Sequence, residues 1–90
     1  MAVRVHIPTP MRPQTEGLAT VEVGGATVQA VLDDLARKYP AVSAKLFDRG
    51  RVKQFVNLYL NDEDIRYLDS LQTPIKEGDE LSIIPAVAGG

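Results

Sequence analysis

The feature that most limits the fold is one amphipathic segment between residues 27 and 40. Apolar side chains recur there at steps of three and four residues, the spacing of one face of an α-helix. Thr27 is a good N-cap, and Pro40 ends the segment because it restricts the backbone of Tyr39. We therefore predict one main helix, with a buried face of Val28, Val31, Leu32, Leu35 and Tyr39 and a solvent face of Gln29, Asp33, Asp34, Arg37 and Lys38.

The segments around this helix have the patterns of strands. Val3, Val5 and Ile7 alternate with polar residues, and residues 18–23 repeat the alternation with Ala19, Val21 and Val23 on one face. A rigid proline-rich loop joins these two segments, which we expect to form an antiparallel hairpin. Further strands are predicted at residues 55–60 and 81–84, with a short turn at 42–47 and a short strand or turn near 65–68.

Strands that outnumber a single helix indicate an α+β fold with the helix on one face of a mixed sheet. We predict a β-grasp (ubiquitin-like) fold with four to five strands. In that arrangement the first and last strands pair in parallel at the centre of the sheet, which fits their apolar character.

Composition excludes several classes of function. The chain has 90 residues, enough for one domain, and a net charge of -2 with scattered cations, which argues against nucleic acid. It has no cysteine, and its single histidine, His6, falls on the polar face of a strand, so we predict no metal site and no thiolate nucleophile. The acidic turn at 61–64 lacks the glycine and glutamate positions of a calcium-binding loop. With no signal or membrane-spanning pattern, we expect a soluble, cytoplasmic protein.

The last residues form an uncharged tail. We predict a body at residues 1–84 and a flexible tail at 85–90, which reaches roughly 20 Å when extended. Pro85 stops the last strand, and two terminal glycines leave a bare backbone that can enter a narrow channel. Taken alone, such an end is also typical of a frayed terminus.

A second candidate feature is the sheet face away from the helix. Phe55, Tyr59 and Ile84 are predicted on that face, near the root of the tail. Grouped exposed apolar residues are typical of interaction surfaces, so we predict a partner-docking face there. Simple packing at the sheet edge is the alternative.

The whole pattern resembles the ubiquitin-like sulfur carriers of the ThiS and MoaD type, and within them most nearly the carrier of a thiocarboxylate-dependent cysteine pathway. The resemblance spans the chain. The residues that carry it are Val5-His6-Ile7-Pro8-Thr9 with Arg12-Pro13, Phe55-Val56-Asn57 with Asn61-Asp62-Glu63-Asp64, and Pro85-Ala86-Val87-Ala88-Gly89-Gly90.

The resemblance implies that the protein is a co-substrate with no catalytic residue and no cofactor of its own. Gly90 would be adenylated by an E1-like partner (MoeB, ThiF or MoeZ type) that uses ATP and Mg²⁺, and then converted to a thiocarboxylate. Ala86, Val87, Ala88 and Gly89 would thread through the partner's active site.

The family also implies a second partner, a synthase that accepts the sulfur. Cysteine synthase is the first choice, and molybdopterin, thiazole and thiosugar synthases remain open. Two further hypotheses stay open: a ubiquitin-like modifier joined to lysines through Gly90, and a binding module whose tail is idle. Neither nucleic acid nor membrane is an expected partner.

Overall fold

The computed structural model describes residues 2–53 and 56–85. Within these ranges the chain forms seven strands in two sheets, with two α-helices on the core side of the larger sheet. The strands are β1 (Ala2–His6), β2 (Thr20–Gly24), β3 (Phe47–Asp48), β4 (Arg51–Val52), β5 (Val56–Leu60), β6 (Glu63–Asp64) and β7 (Glu80–Pro85).

The larger sheet has the strand order β2-β1-β7-β5-β6. β1 and β7 pair in parallel, and the other neighbours in the sheet are antiparallel. Because β7 lies at the centre, its inward side chains Leu81 and Ile83 are buried among their neighbours. The predicted β-grasp fold, with a first hairpin and a central parallel pair, is confirmed.

Helix α1 (Val28–Lys38) covers one face of this sheet. The Thr27 hydroxyl accepts a hydrogen bond from the Ala30 N–H at 3.2 Å, so the predicted N-cap is confirmed. Val31, Leu32 and Leu35 are fully buried, as the spacing predicts. The helix ends at Lys38, before Pro40, because the ring removes a backbone donor.

Two segments are more helical than the sequence indicated. Residues Thr9–Thr15 form a 3-10 helix where we expected a rigid loop, because prolines near a helix start have a φ that suits the first turn. Pro40 likewise opens a second helix, α2 (Pro40–Leu46), where we expected a short turn. Met11 from the first segment and Val42 from the second are buried in the core, which explains why both segments are ordered against the body.

The prediction for Asp34 was wrong. We placed it on the solvent face of α1, but only 8% of it is exposed. Its carboxylate accepts a hydrogen bond from the Gly24 N–H at 2.8 Å, and it forms ion pairs with Arg37 and Lys38. The spacing of the apolar residues correctly predicted the helix and its buried apolar side chains. It could not show that β2 runs beside the helix.

The bounds of two strands differ from the prediction. β2 begins at Thr20, and Ala19 is exposed although its carbonyl accepts a hydrogen bond from the Ile7 N–H at 2.7 Å. β7 continues through Pro85, the residue at which we placed the start of the tail. No helix in residues 2–53 and 56–85 is long and apolar enough to cross a membrane.

Candidate functional site

The candidate site begins on the sheet face that points away from α1. We call this surface the outer face; it is formed by the side chains that alternate with the buried ones on the central strands. The strand register places Ile84 opposite Asn57 and Ser82 opposite Tyr59. Since directly opposed residues point to the same side of a sheet, the outer face includes Arg4, His6, Asn57, Tyr59, Glu80, Ser82 and Ile84.

Tyr59 and Ile84 therefore share a surface, as predicted. Ile84 is 45% exposed and Tyr59 is half-buried. An aromatic and a branched aliphatic side chain so placed form a small apolar area in a face that is otherwise polar. Phe55, the third residue predicted for docking, lies outside the described residues. The contact of this surface with a partner stays a prediction.

The root of the predicted tail lies at one end of this surface. Pro85 is the last described residue and is opposite Val56, the first residue of β5. Ile84 directly precedes Pro85 in β7. Tyr59 lies three residues beyond Val56 on β5, which is roughly 10 Å along the strand. A partner that contacts these two side chains would therefore also lie close to Pro85, which immediately precedes residues 86–90. Residues 86–90, which carry the predicted reactive end, lie outside the described residues.

His6 lies at the polar end of the outer face. Its Nε2 atom is 2.5 Å from a carboxylate oxygen of Glu80, and its Nδ1 atom is 3.5 Å from the Thr20 hydroxyl. These contacts link β2, β1 and β7 across the surface. The sequence prediction of a surface-facing strand residue is correct, and the imidazole has a structural partner on each side.

Arg66 is a feature of this surface that sequence reasoning missed. We placed Asp64 in a solvated acidic turn, but it is buried. Its carboxylate accepts hydrogen bonds from the Arg66 backbone N–H at 2.9 Å and from the Nε and Nη2 atoms of the Arg66 guanidinium. The guanidinium and the backbone N–H hold the pKa of Asp64 below its ordinary value, against the effect of burial. An acid two residues before a base, at the start of a short 3-10 helix, was the available signal.

This ion pair lies beside Tyr59. Asp64 is opposite Tyr59 in the register of β5 and β6. The Asp64 carboxylate raises the pKa of Arg66, against the effect of burial. Tyr67 is 82% exposed. Tyrosine and arginine are enriched among the residues that dominate binding interfaces, so this cluster extends the candidate docking face toward the edge of the sheet.

Asn61, the first residue of the acidic turn, connects this turn to the start of β7. The side-chain amide of Asn61 donates to Asp79 at 2.9 Å and accepts from the Glu80 N–H at 3.0 Å. The Lys76 N–H, followed by this donation from Asn61, holds the pKa of Asp79 below its ordinary value, against the effect of burial. In the described parts of the chain, no three His, Asp or Glu side chains are grouped in a way that could hold a metal ion.

Comparisons with known proteins agree with this geometry. The pattern of the ThiS family matches residues 5–90. The chain is 46% identical to "Sulfur carrier protein CysO" of Mycobacterium tuberculosis, with all of both chains covered. It is 38% identical to "Small archaeal modifier protein 3" of Haloferax volcanii, with 72% of this chain and 71% of that protein covered.

Solved structures give the same result. In a crystal structure of an Amycolatopsis orientalis BexX/CysO complex, one chain is 44% identical to this one, with a TM-score of 0.90 and coverage of 99% of this chain and all of that one. The predicted resemblance to the sulfur carriers is therefore confirmed over the whole fold, including the strands that form the outer face.

Proposed function

The chain belongs to the ThiS family, and from this premise we propose that it is a sulfur carrier whose C-terminal Gly90 accepts sulfur as a thiocarboxylate. The observation that carries the proposal is the identity of 46% with a curated sulfur carrier, end to end. The family match extends to residue 90, so Gly89 and Gly90 fall within the family pattern. In this proposal the body ends near Pro85 and residues 86–90 form the arm that enters a partner's active site.

The chemistry of the arm follows from the poor reactivity of a carboxylate. A carboxylate oxygen of Gly90 would attack the α-phosphorus of ATP and release pyrophosphate, forming an acyl-adenylate. A sulfur nucleophile would then attack the Gly90 carbonyl carbon and release AMP, leaving a thiocarboxylate. ATP and Mg²⁺ belong to an E1-like partner in this scheme, and the protein itself is a co-substrate in the cytoplasm rather than an enzyme.

The small side chains of the arm suit this role. Ala86, Val87 and Ala88 carry no charge, and Gly89 allows close approach to the reacting carbon. The outer face would bind the same partner, since Ile84 directly precedes Pro85 and shares a surface with Tyr59. The complex of a similar CysO chain with BexX supports the expectation of stable partner binding.

Sulfur would pass from the thiocarboxylate to an accepting synthase. The likeness to CysO favours cysteine synthesis as the receiving pathway, with molybdopterin, thiazole and thiosugar synthesis as further candidates. Incubation of the loaded carrier with each class of synthase, with the sulfur-containing product measured, distinguishes them.

A second function is supported by a specific observation. The similarity to "Small archaeal modifier protein 3" favours the attachment of Gly90 to lysine amines of other proteins. The two functions share the acyl-adenylate and differ in the nucleophile that displaces AMP. They therefore leave different products on the same atom.

Intact-mass analysis tests the proposal. The chain is incubated with an E1-like activating enzyme, ATP and a sulfide source, and the expected result is replacement of one oxygen by sulfur, lost when Gly90 is deleted. Isopeptide adducts without this exchange would favour the modifier function. Neither product with several activating enzymes would contradict both.

The docking face is tested with matched exposed side chains. Ile84→Asp and Tyr59→Ala should slow activation while the thermal unfolding of the domain remains cooperative. Leu18→Asp is the control, because Leu18 is also 45% exposed but precedes β2 and is distant in sequence from β5 and β7. Equal activation rates for Ile84→Asp and Leu18→Asp would contradict the assignment of this face.

A further inference from the structure

We propose that the β3–β4 hairpin is a basic contact at the root of the tail that binds a carboxylate-rich rim around the active site of the activating enzyme. The proposal rests on the proposed function, because it concerns the same encounter. The hairpin would be a second binding element, on a different part of the fold from the outer face. Its positive charge implies a negative charge on the partner's surface.

The location of the hairpin is the first observation. The Lys53 N–H donates to the Leu46 carbonyl at 2.8 Å, which holds the end of the hairpin against α2. The Lys53 carbonyl accepts from the Val56 N–H at 3.0 Å, and Val56 is opposite Pro85. Two consecutive contacts therefore connect the basic segment to Pro85, the residue that precedes the proposed arm at 86–90. A protein that receives the tail comes close to this hairpin.

Charge is the second observation. Three cations, Arg49, Arg51 and Lys53, and one carboxylate, Asp48, lie between residues 48 and 53. The rest of the chain has seven cations and eleven carboxylates, so this hairpin is a positive region on a negative protein. Arg49 and Arg51 are exposed, and none of the ion pairs in the described ranges involves them or Lys53.

The hairpin presents these cations in a fixed orientation. Phe47 is opposite Val52, and both pack against the hydrophobic core. Asp48 is opposite Arg51 on the exposed side. Anchored strands reduce the conformational entropy that a binding surface loses on association, so charges held in this way bind more effectively than charges on a free loop.

The backbone at the tip is the third observation. Arg49 has a φ of 54° and Gly50 a φ of 80°, so both central residues of the turn are left-handed, as in a type I′ hairpin. Asparagine and glycine favour the first of these positions, whereas arginine adopts it at a cost in folding free energy. Asparagine or glycine would suit this position better than Arg49, which places an exposed cation at the tip of the hairpin.

The chemical consequence is electrostatic steering. Opposite charges across an interface raise the association rate and orient the partners, and salt screens this effect. Cations at the root of an uncharged arm would direct the arm toward an acidic rim before any contact by residues 86–90. The outer face would then supply apolar contacts after the encounter.

Arg49→Asn is the decisive variant, because it removes one charge and suits the turn. We expect its melting temperature to rise by about 2–6 °C. We expect kcat/KM for thiocarboxylate formation, measured by intact mass at low salt, to fall roughly threefold, and roughly tenfold when Arg51→Thr and Lys53→Gln are added. Lys76→Asn is the matched control, since Lys76 lies in the turn before β7, at the opposite end of that strand from Pro85.

Salt provides the second readout. The activation of the unmodified chain should slow as NaCl is raised, and the triple variant should show a much weaker dependence. Activation by the triple variant at the rate of the Lys76→Asn control, at all salt concentrations, would overturn the hairpin proposal while the proposed function stands. Absence of exchange in the unmodified chain would remove the proposed function, and the hairpin proposal with it.

Discussion

Replacement of Asp34 gives the sharpest test of how the helix is held to the sheet. The Asp34 carboxylate joins α1 to the edge of β2 through the Gly24 N–H at 2.8 Å, and it pairs with Arg37 and Lys38 one turn further along the helix. Asp34→Ala leaves the Gly24 N–H without this acceptor. A hydrogen bond to a charged group contributes about 1.5–3 kcal/mol, so we expect the free energy of unfolding to fall by about 2 kcal/mol.

Asp34→Asn separates the hydrogen bond from the charge. The side-chain oxygen can still accept from Gly24, whereas the ion pairs with Arg37 and Lys38 are lost. We expect a loss of about 1 kcal/mol, smaller than that of Asp34→Ala. Asp33→Ala is the matched control, because Asp33 is exposed on the same helix and its side chain contacts only Gln29 among the described hydrogen bonds.

Acid provides an independent test of the same group. The Gly24 N–H is the main cause of the lowered pKa of Asp34, followed by the cations, and burial opposes them. A carboxyl whose pKa is lower in the folded state stabilises the protein above its unfolded pKa of about 3.9, and this contribution is lost as the pH falls through the folded pKa. The unmodified chain should therefore lose stability below about pH 5, and Asp34→Asn should lose less.

Urea unfolding followed by circular dichroism, between pH 7 and pH 3, measures these differences. For a domain of this size, about 2 kcal/mol corresponds to a fall in Tm of roughly 8–16 °C, which is easily resolved. The reasoning is refuted if Asp34→Ala unfolds within about 0.5 kcal/mol of Asp33→Ala, the range of ordinary surface substitutions.

Two further substitutions test the packing. An added methyl group at Gly25 would lie 2.6 Å from the backbone nitrogen of Val31. Gly25→Ala should therefore destabilise the fold by about 1–3 kcal/mol in urea unfolding. A neutral result would contradict the close approach of this loop to α1. Leu81 is fully buried at the sheet centre, so Leu81→Ala should cost about 3–5 kcal/mol. Leu18→Ala is the exposed control for Leu81→Ala and should cost less than about 0.5 kcal/mol, and equal losses would contradict the central place of β7.

Local patterns were sufficient to predict the main strands and α1, because each of these elements has its own hydrophobic periodicity. The alternation of Val3, Val5 and Ile7 identified β1, and the spacing around Leu32 identified α1 with its cap. These signals depend on one buried face per element. A short helix such as α2 has too few turns to establish a period, and the 3-10 helix at Thr9–Thr15 contains prolines that we took as evidence for a loop.

The sequence by itself determined the order of α1 and the four longer strands, the inward side of most of those strands and the resemblance to sulfur carriers, because these depend on neighbouring residues or on motifs along the chain. It also identified Tyr59 and Ile84 as outward-facing residues, although their role in docking remains a prediction.

Only the tertiary structure decided which polar residues are buried and which distant segments meet. Asp34 is buried where β2 runs beside α1, and Asp64 is buried on β6, opposite Tyr59, where it pairs with the Arg66 guanidinium. The basic segment at 49–53 is connected to the end of β7 by the bond between Lys53 and Val56 and by the pairing of Val56 with Pro85. Gly24 and Asp34, and Val56 and Pro85, lie in different elements of the fold, so no periodicity within one element records their contacts.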